Sequence, residues 1–481
     1  MRGSEWRRWD FHVHTKGTNK NDQFSSTTMD EFFGVFFRKA IEKDIKAIGV
    51  TDYFTIDNYH LAKEYIKAID LKFDSSGTRL FNDTECAAIR DIFLFPNVEL
   101  RMLPSTNSSK LVNIHCIFNP DYIDELRNNF FGSLENQEGY KMNREGFIAY
   151  GKSLNPKLHG DDQFFKYGLN NFVLDPKSVQ DLIISKKLLK DNTIIVVSNS
   201  NQDGNSGYQK HYDLFESEPG SLDGVRRTIY KISNCIFSTN NKDINYFLGK
   251  RLDNKEGVTL KEKLAEREEV LQQKGSFKPC IVGSDAHNEE ELFERFTWVK
   301  CDLNFEGLKQ ITYEPEQRVK ICNDEPDTKD DKLIIDEVRF LLPSGDNKFT
   351  PHAIKFNKNL NVIIGGKSSG KSILLYNIAK TLLKDRKILK KEGPSNEYKY
   401  DFGDGFDFKV KMISQIEESV KRKDNEPSIL ADIKYIPQNY LSKLADPENK
   451  KGNELRKLVR ELLLEKEVYK VKYQDFLNNV K

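Results

Sequence analysis

Short apolar runs that end in polar residues recur through the first 320 residues of the chain. Residues 45–50, 113–118, 193–197 and 280–283 are largely apolar, and Thr51-Asp52 or Ser284-Asp285 follow at once. Runs of this kind fit strands covered on both faces, as in a parallel sheet. Stretches of helical period lie between them, such as 29–41 before the run at 45. Alternating strand and helix units predict an α/β layered or barrel domain whose strand ends deliver functional side chains.

Two stretches interrupt this rhythm and are expected to be insertions. Residues 121–190 are polar and mixed in pattern, and 253–274 hold a charge-dense helix around 261–269, expected to be a solvated face. Residues 323–332 are poor in apolar side chains, mix charges and include Pro326, which predicts a linker. Beyond it, Val338 and Phe340 alternate in a strand at 333–340, and a second strand is expected at 360–364. In 373–379, Leu374, Leu375, Ile378 and Ala379 share a helical face. The tail, 453–481, places Leu455, Leu458, Val459, Leu462 and Leu463 at helical spacing, which predicts an amphipathic helix opening a coiled coil. The expected domains are therefore 1–322, 333–452 and the tail from 453.

Composition narrows the partners. Lys plus Arg (75) and Asp plus Glu (74) cancel, so any basic surface for nucleic acid has to be local. With 31% charged residues and no apolar run of spanning length, no membrane segment is expected. Residues 1–10 lack the apolar core of a secretory signal, which favours the cytoplasm. Cys86, Cys116, Cys235, Cys280, Cys301 and Cys322 are scattered without a C-x-x-C, so reduced thiols are expected rather than disulfides or a cysteine zinc site.

The polar residues at the strand ends suggest metal chemistry. Positions i and i+2 of a strand share a face, so His12 and His14 can meet one ion. Imidazole and carboxylate together suit zinc, manganese or iron. Asp52 follows 45–50, Glu99 follows 96–98, His115 lies within 113–118, and Asp285 and His287 follow 280–283. His60, His159, His211 and His352 have no partner at ligand spacing and are expected to be surface or core histidines.

Asp10-Phe11-His12-Val13-His14-Thr15, Thr51-Asp52, Val98-Glu99, His115 and Gly283-Ser284-Asp285-Ala286-His287 form an ordered set that resembles the PHP superfamily over roughly 9–319. The resemblance implies an irregular (β/α)7 barrel with up to three divalent metals at the strand C-termini, and hydrolysis of phosphate esters. It implies that His12, His14 and Asp285 hold a first metal, Glu99 bridges, and His115 holds a second. Asp52 and His287 would complete the shells or orient the nucleophile. Two positions depart from the family: Tyr53 stands where its T-D-H motif has histidine, and Asn199 where a later histidine is expected. Both are poor replacements for imidazole, which puts a third metal in doubt, and Asp22 is a candidate replacement oxygen.

Gly365-Gly366-Lys367-Ser368-Ser369-Gly370-Lys371-Ser372 is a complete G-x-x-x-x-G-K-S loop between an expected strand and an expected helix. In such a loop, backbone N–H groups cradle the phosphates of ATP, Lys371 reaches the β and γ phosphates, and Ser372 ligates magnesium. Asp336 mimics a Walker B aspartate but lies upstream of the loop, so 333–340 reads as a first strand. Residues 434–441 read alone as a strand end with a solvated amide. After a P-loop they resemble the Q-loop of ABC-type ATPases, with Gln438 at the matching position. The order P-loop, Q-loop, helix resembles the N-terminal half of an SMC-type ATPase head.

A PHP domain followed by such a lobe resembles the TrlF-type family of PHP–ATPase fusions, which Thr297-Trp298-Val299-Lys300, Phe305-Glu306-Gly307-Leu308 and Glu314-Pro315-Glu316-Gln317-Arg318-Val319 also fit. This resemblance implies a metal-dependent nuclease acting on DNA or RNA, controlled by ATP-driven pairing of two heads as a homodimer, with a role in anti-phage defence. The alternatives are a small-molecule phosphatase and a regulatory ATP-binding scaffold with a degraded metal site.

Overall fold

A computed structural model describes residues 2–74, 76–103, 111–199, 228–383, 402–422, 428–430 and 433–436, with 456, 459–460, 463–464 and 467–480 in the tail. Gln438 and His211 lie outside the described residues. Contacts divide the chain into Gly3–Thr328 and Lys329–Lys481 with Met1–Arg2, so the division falls inside the 323–332 stretch.

The first unit is mixed α/β. Its strands are β1 (Glu5–Val13), β2 (Ile45–Tyr53), β3 (Phe93–Met102), β4 (Val112–Phe118), β5 (Thr193–Ser198), β6 (Cys235–Phe237), β7 (Cys280–Ile281), β8 (Thr297–Cys301) and β9 (Val319–Lys320). They form one sheet in the order β7-β6-β5-β4-β3-β2-β1-β8-β9. Its two edge strands, β7 and β9, come into contact, so the sheet curls into a nearly closed barrel. One buried cluster takes Trp9, Ala47, Phe95, Ile117, Val196, Phe237, Ile281 and Val299 from eight successive strands, as only a curled face allows. The opposite face of β1 and β2 is covered by Phe32, Phe33, Phe36 and Phe37 of helix Met29–Glu42 and by Tyr59, Ala62 and Tyr65 of helix Asp57–Lys67.

The pairing departs from the all-parallel expectation. β1, β2 and β3 run parallel, as do β5, β6 and β7, but β4 is antiparallel to both its neighbours. A parallel crossover needs about a dozen or more residues, and 103–111 are too few to provide one. The 121–190 insertion is helical. Helices Arg144–Leu154 and Asp161–Asn171 meet where Gly151 and Gly168 leave room for the carbonyls of Phe164 and Phe147. In helix Leu260–Lys274, the expected solvated face is broken by Glu266, which is buried and accepts from Arg251 Nε (2.8 Å) and Leu252 N (3.1 Å). All six cysteines are free, and only Cys322 is exposed.

The second unit has an antiparallel sheet ordered β11-β10-β12-β13, formed by β10 (Ile335–Leu341), β11 (Ile354–Lys355), β12 (Asp407–Met412) and β13 (Glu417–Ser419). Val338 and Phe340 alternate inward as expected and join Leu374, Ile378 and Leu382 of helix Lys371–Leu382 in its core. The strand expected at 360–364 does not form, and Leu360, Val362 and Ile364 are exposed. An apolar run becomes a strand only beside another strand that takes its backbone hydrogen bonds, and no described strand lies there. In the tail, helix Glu467–Val480 exposes Tyr469, Val471, Phe476 and Leu477. No helix among the described residues is long and apolar enough to cross a membrane.

Candidate metal centre

The polar residues of the first unit converge where the end of β1 and the facing Glu99 and His115 of β3 and β4 meet the segment that follows β7. Asp10, fully buried on β1, ties that segment in place. Its Oδ1 accepts from His12 N and Ser284 N, both at 3.0 Å, and its Oδ2 accepts from Ser284 Oγ. Asp285 N donates to His12 O at 2.6 Å. Gly283 makes this approach possible, since a Cβ there would stand 2.2 Å from His12 N and 2.4 Å from Asp10 Oδ1. Burial pushes the Asp10 carboxyl up to about 7, against the opposing pull of its hydrogen bonds from Ser284 and His12. Asp285 itself sits at φ +53, a left-handed conformation that aspartate tolerates better than most residues.

Among the described residues two ligand groups result, His12–His14–Asp285 and His12–Glu99–His115. His12 Nε2 lies 3.1 Å from both His14 Nε2 and Asp285 Oδ1, and Glu99 Oε2 lies 3.5 Å from Nε2 of both His12 and His14. An imidazole nitrogen has one lone pair and serves one ion, whereas the two oxygens of Glu99 can serve two. His12, His14, Glu99 and His115 are buried, and the Asp285 side chain is 16% exposed, so the cluster opens to solvent on the Asp285 side.

Two of the ligands, His115 and Glu99, are aimed by neighbours. Asn97 Nδ2 donates to Phe11 O (2.9 Å) and Thr51 Oγ1 (3.1 Å), which turns Asn97 Oδ1 toward His115 Nδ1 at 3.2 Å. An amide oxygen only accepts, so the His115 proton sits on Nδ1 and the lone pair on Nε2. His115 Nε2 is buried and meets no hydrogen-bond donor or acceptor among the described residues. Asn113 Nδ2 similarly holds Glu99 Oε1 at 3.0 Å, leaving Oε2 toward the histidines. Burial, then the His12 charge, holds the His115 imidazole well below its usual range. Burial opposes the charge on Glu99, but His12 and His14 outweigh it and hold this carboxyl well below its usual range. A neutral His115 imidazole beside an ionised Glu99 carboxylate is the form in which these two groups bind metal. His115 Nε2 and Glu99 Oε2, buried without a hydrogen-bond partner among the described residues, fit ligands of a divalent ion.

The remaining predicted residues are placed differently. His287 stacks on His14 (4.4 Å between ring centroids, 15° between planes) with Nε2 3.7 Å from Asp285 Oδ1, and burial pushes it down to about 4. Tyr53 stacks on the other side of the cluster's histidines, 4.8 Å from His14 at 15°. Burial, Glu99 and Asp285 raise its phenol well above the usual range, so it stays protonated and acts as a wall rather than a phenolate ligand. Asp52 lies outside both groups. Its two oxygens accept from Asn58 N and Asn58 Nδ2, each at 2.8 Å, which fixes the start of helix Asp57–Lys67. Asn199 is held by Tyr230 OH (3.0 Å) and Asp243 Oδ2 (2.9 Å), and Asp22 caps the exposed loop at Gly17 N (2.8 Å). Asp10, Asn97 and Asn113 were not singled out from the sequence. Their signal was there, since each is polar within an apolar strand and precedes a predicted ligand by two positions.

In the second unit, Gly365 to Ser372 form an exposed loop that runs into helix Lys371–Leu382. Ser368 (φ +65) and Gly370 (φ +88) turn the chain, and a Cβ at Gly365 would meet Ser369 Oγ at 2.5 Å. Lys371 Nζ donates to the carbonyls of Gly365 (2.7 Å) and Gly366 (2.6 Å), so the lysine crosses the loop. Lys367 and Ser372 stand exposed beside it.

No protein-family model matches the chain, and no curated protein does. Among solved structures, a candidate metal-dependent phosphoesterase from Bifidobacterium adolescentis is similar at 10% identity over 58% of this chain and 88% of its own, with a TM-score of 0.25. PsfC from Pseudomonas syringae is similar at 13% identity over 62% and 82%, with a TM-score of 0.27. An amidohydrolase from Chromobacterium violaceum, holding sulfate and no metal, is similar at 11% identity over 66% and 98%, with a TM-score of 0.29. Similarity this distant assigns this chain neither a family nor an activity.

Proposed function

We propose that Gly3–Thr328 is a divalent-metal-dependent phosphoesterase of PHP type, that its substrate is a phosphodiester of DNA or RNA, and that the second unit binds ATP with magnesium through Gly365–Ser372. The observation that carries the hydrolase reading is the pair of ligand groups, with His115 Nε2 buried and aimed into one of them. His12, His14 and Asp285 would hold one ion, and Glu99 and His115 the other. Bound there, zinc, manganese or iron neutralises phosphate charge and makes water a competent nucleophile near neutral pH.

The chain's own residues supply the rest. Asp10 and Gly283 set the height of Asp285 against β1. Asn97 and Asn113 keep His115 and Glu99 turned inward. Tyr53 and His287 bracket His14 and fix its plane, and burial keeps the His287 imidazole neutral beside Asp285. The nuclease reading rests on the sequence resemblance to TrlF-type fusions, as do pairing of heads into a homodimer and a role in phage defence. A panel of single- and double-stranded DNA and RNA tests it: the metal-loaded chain should cleave at least one member, and Asp285→Ala should abolish cleavage. Phosphate release from small monoesters without any cleavage of the panel would make the protein a small-molecule phosphatase instead.

A further inference from the structure

A cavity of about 790 Å³ lies between the connection that follows β2 and the helical insertion, and it shares no residue with either ligand group. Phe54, Phe131, Met142 and Phe147 are buried in its floor, and Ile123 and Phe165 line it half-buried. Phe54 reaches it from φ +60, a conformation that a bulky side chain rarely takes. The turn sends consecutive rings to different neighbours, Tyr53 onto His14 and Phe54 onto Phe147 (6.1 Å between centroids) and Phe172 (5.5 Å). Pockets for small organic molecules run to roughly 300–1,000 Å³ and combine apolar walls with a few polar groups, as this one does.

The rim indicates the charge of such a molecule. Asp57, Asp124 and Glu145 stand exposed on it, and none has a cation within ion-pair distance among the described residues. Arg144, also on the rim, is engaged elsewhere: its Nη2 donates to Asp162 Oδ1 at 2.7 Å, and its guanidinium lies 4.8 Å from the Phe165 centroid. Each carboxylate occupies the first turn of its own helix, Asp57–Lys67, Ile123–Asn129 or Arg144–Leu154, where it complements the helix dipole. That role does not require three first turns to meet at one cavity, where their like charges repel. A cation among them relieves the repulsion, and the faces of aromatic rings attract an ammonium group. We propose that this cavity binds an organic ammonium ion, an amine on an aromatic or branched apolar body. Its apolar part sits among Phe131, Phe147 and Phe165, and its charge meets Asp57, Asp124 and Glu145. An organic acid would be repelled at the rim, and a linear polyamine would leave the aromatic floor unfilled. The inference is independent of the phosphoesterase reading, since no metal-ligand residue takes part in it.

Calorimetric titration of the full chain with phenethylamine tests this, with phenethyl alcohol and hydrocinnamate as its neutral and anionic counterparts. The amine should bind about tenfold tighter than the alcohol, as expected of three partly exposed charge contacts together, and hydrocinnamate should bind more weakly than either. Asp124→Asn and Glu145→Gln should each weaken the amine about threefold, and the double variant about tenfold, with the alcohol unchanged. Phe165→Ala should weaken amine and alcohol alike, which separates the apolar part of the site from its charge. Asp124 and Glu145 are exposed and their replacements keep size and shape, so near-UV circular dichroism of these variants should match wild type. Equal affinity for amine and alcohol, tighter binding of hydrocinnamate, or no amine binding at about 10 mM would overturn the proposal. So would an amine affinity that stays at the wild-type value in the folded double variant, because the ligand would then sit elsewhere.

Discussion

Replacing Gly283 by alanine adds a single atom at the point where the Asp285 segment meets β1. That Cβ would lie 2.2 Å from His12 N, 2.4 Å from Asp10 Oδ1 and 2.8 Å from His12 Cα. Two of these are backbone atoms, and the third belongs to a fully buried carboxylate. A Cβ has no rotamer by which to escape, so the segment has to move away from β1 by about 1 Å to reach ordinary contact. The shift stretches Ser284 N to Asp10 Oδ1 (3.0 Å), Ser284 Oγ to Asp10 Oδ2, and Asp285 N to His12 O (2.6 Å). Overpacking of this kind costs about 1–3 kcal/mol, and each weakened hydrogen bond adds about 0.5–1.5 kcal/mol. With three hydrogen bonds weakened, a destabilisation of at least about 2.5 kcal/mol is expected from urea unfolding. Asp285 moves with the segment, so metal affinity at His12–His14–Asp285 should drop at least tenfold by competition with a chelating dye. Gly283→Ala with unfolding free energy within about 0.5 kcal/mol of wild type and unchanged metal affinity would refute the idea that this close approach sets the position of Asp285.

Two further predictions concern other parts of the chain. Lys278 is 1% exposed and donates to Ser233 O, and burial pushes its ammonium down to about 8. The unfolded chain therefore binds more protons than the folded one between about pH 8 and 10.5, and stability contributed at this position rises with pH across that window by on the order of 3 kcal/mol. Urea unfolding from pH 7.5 to 10 should show wild type gaining on Lys278→Met, and parallel curves would contradict the assignment. On the proposed nucleotide reading, the ammonium that spans Gly365 and Gly366 would meet the phosphates, so Lys371→Ala should weaken ATP binding at least tenfold in a nucleotide titration with magnesium. Equal affinities would remove the nucleotide reading of that loop.

The ends of strands proved the most readable part of the sequence. An apolar run of strand length that breaks into His, Asp or Glu identifies a position where backbone geometry is fixed and chemistry begins. His12, His14, Glu99, His115 and Asp285, drawn from residues far apart in the chain, come together on that basis. What the pattern did not reveal depends on partners that periodicity cannot name. The run at 113–118 reads the same in a parallel or an antiparallel strand, and the brevity of 103–111 decides between them. Asp52 and Asn199 sit at strand ends like the ligands, yet Asn58, Tyr230 and Asp243 occupy their polar atoms. Leu360, Val362 and Ile364 have the composition of a strand, but no described neighbour completes it.

The account stands most directly on a count of metal. Elemental analysis of the full chain, purified from medium supplemented with zinc, manganese and iron, should find about two ions per chain, matching the two ligand groups. Asp285→Ala and His115→Ala should each remove about one of them while the fold persists by circular dichroism. A folded wild-type chain that carries close to none, or variants that keep the full complement, would contradict the assignment of a metal centre to these residues.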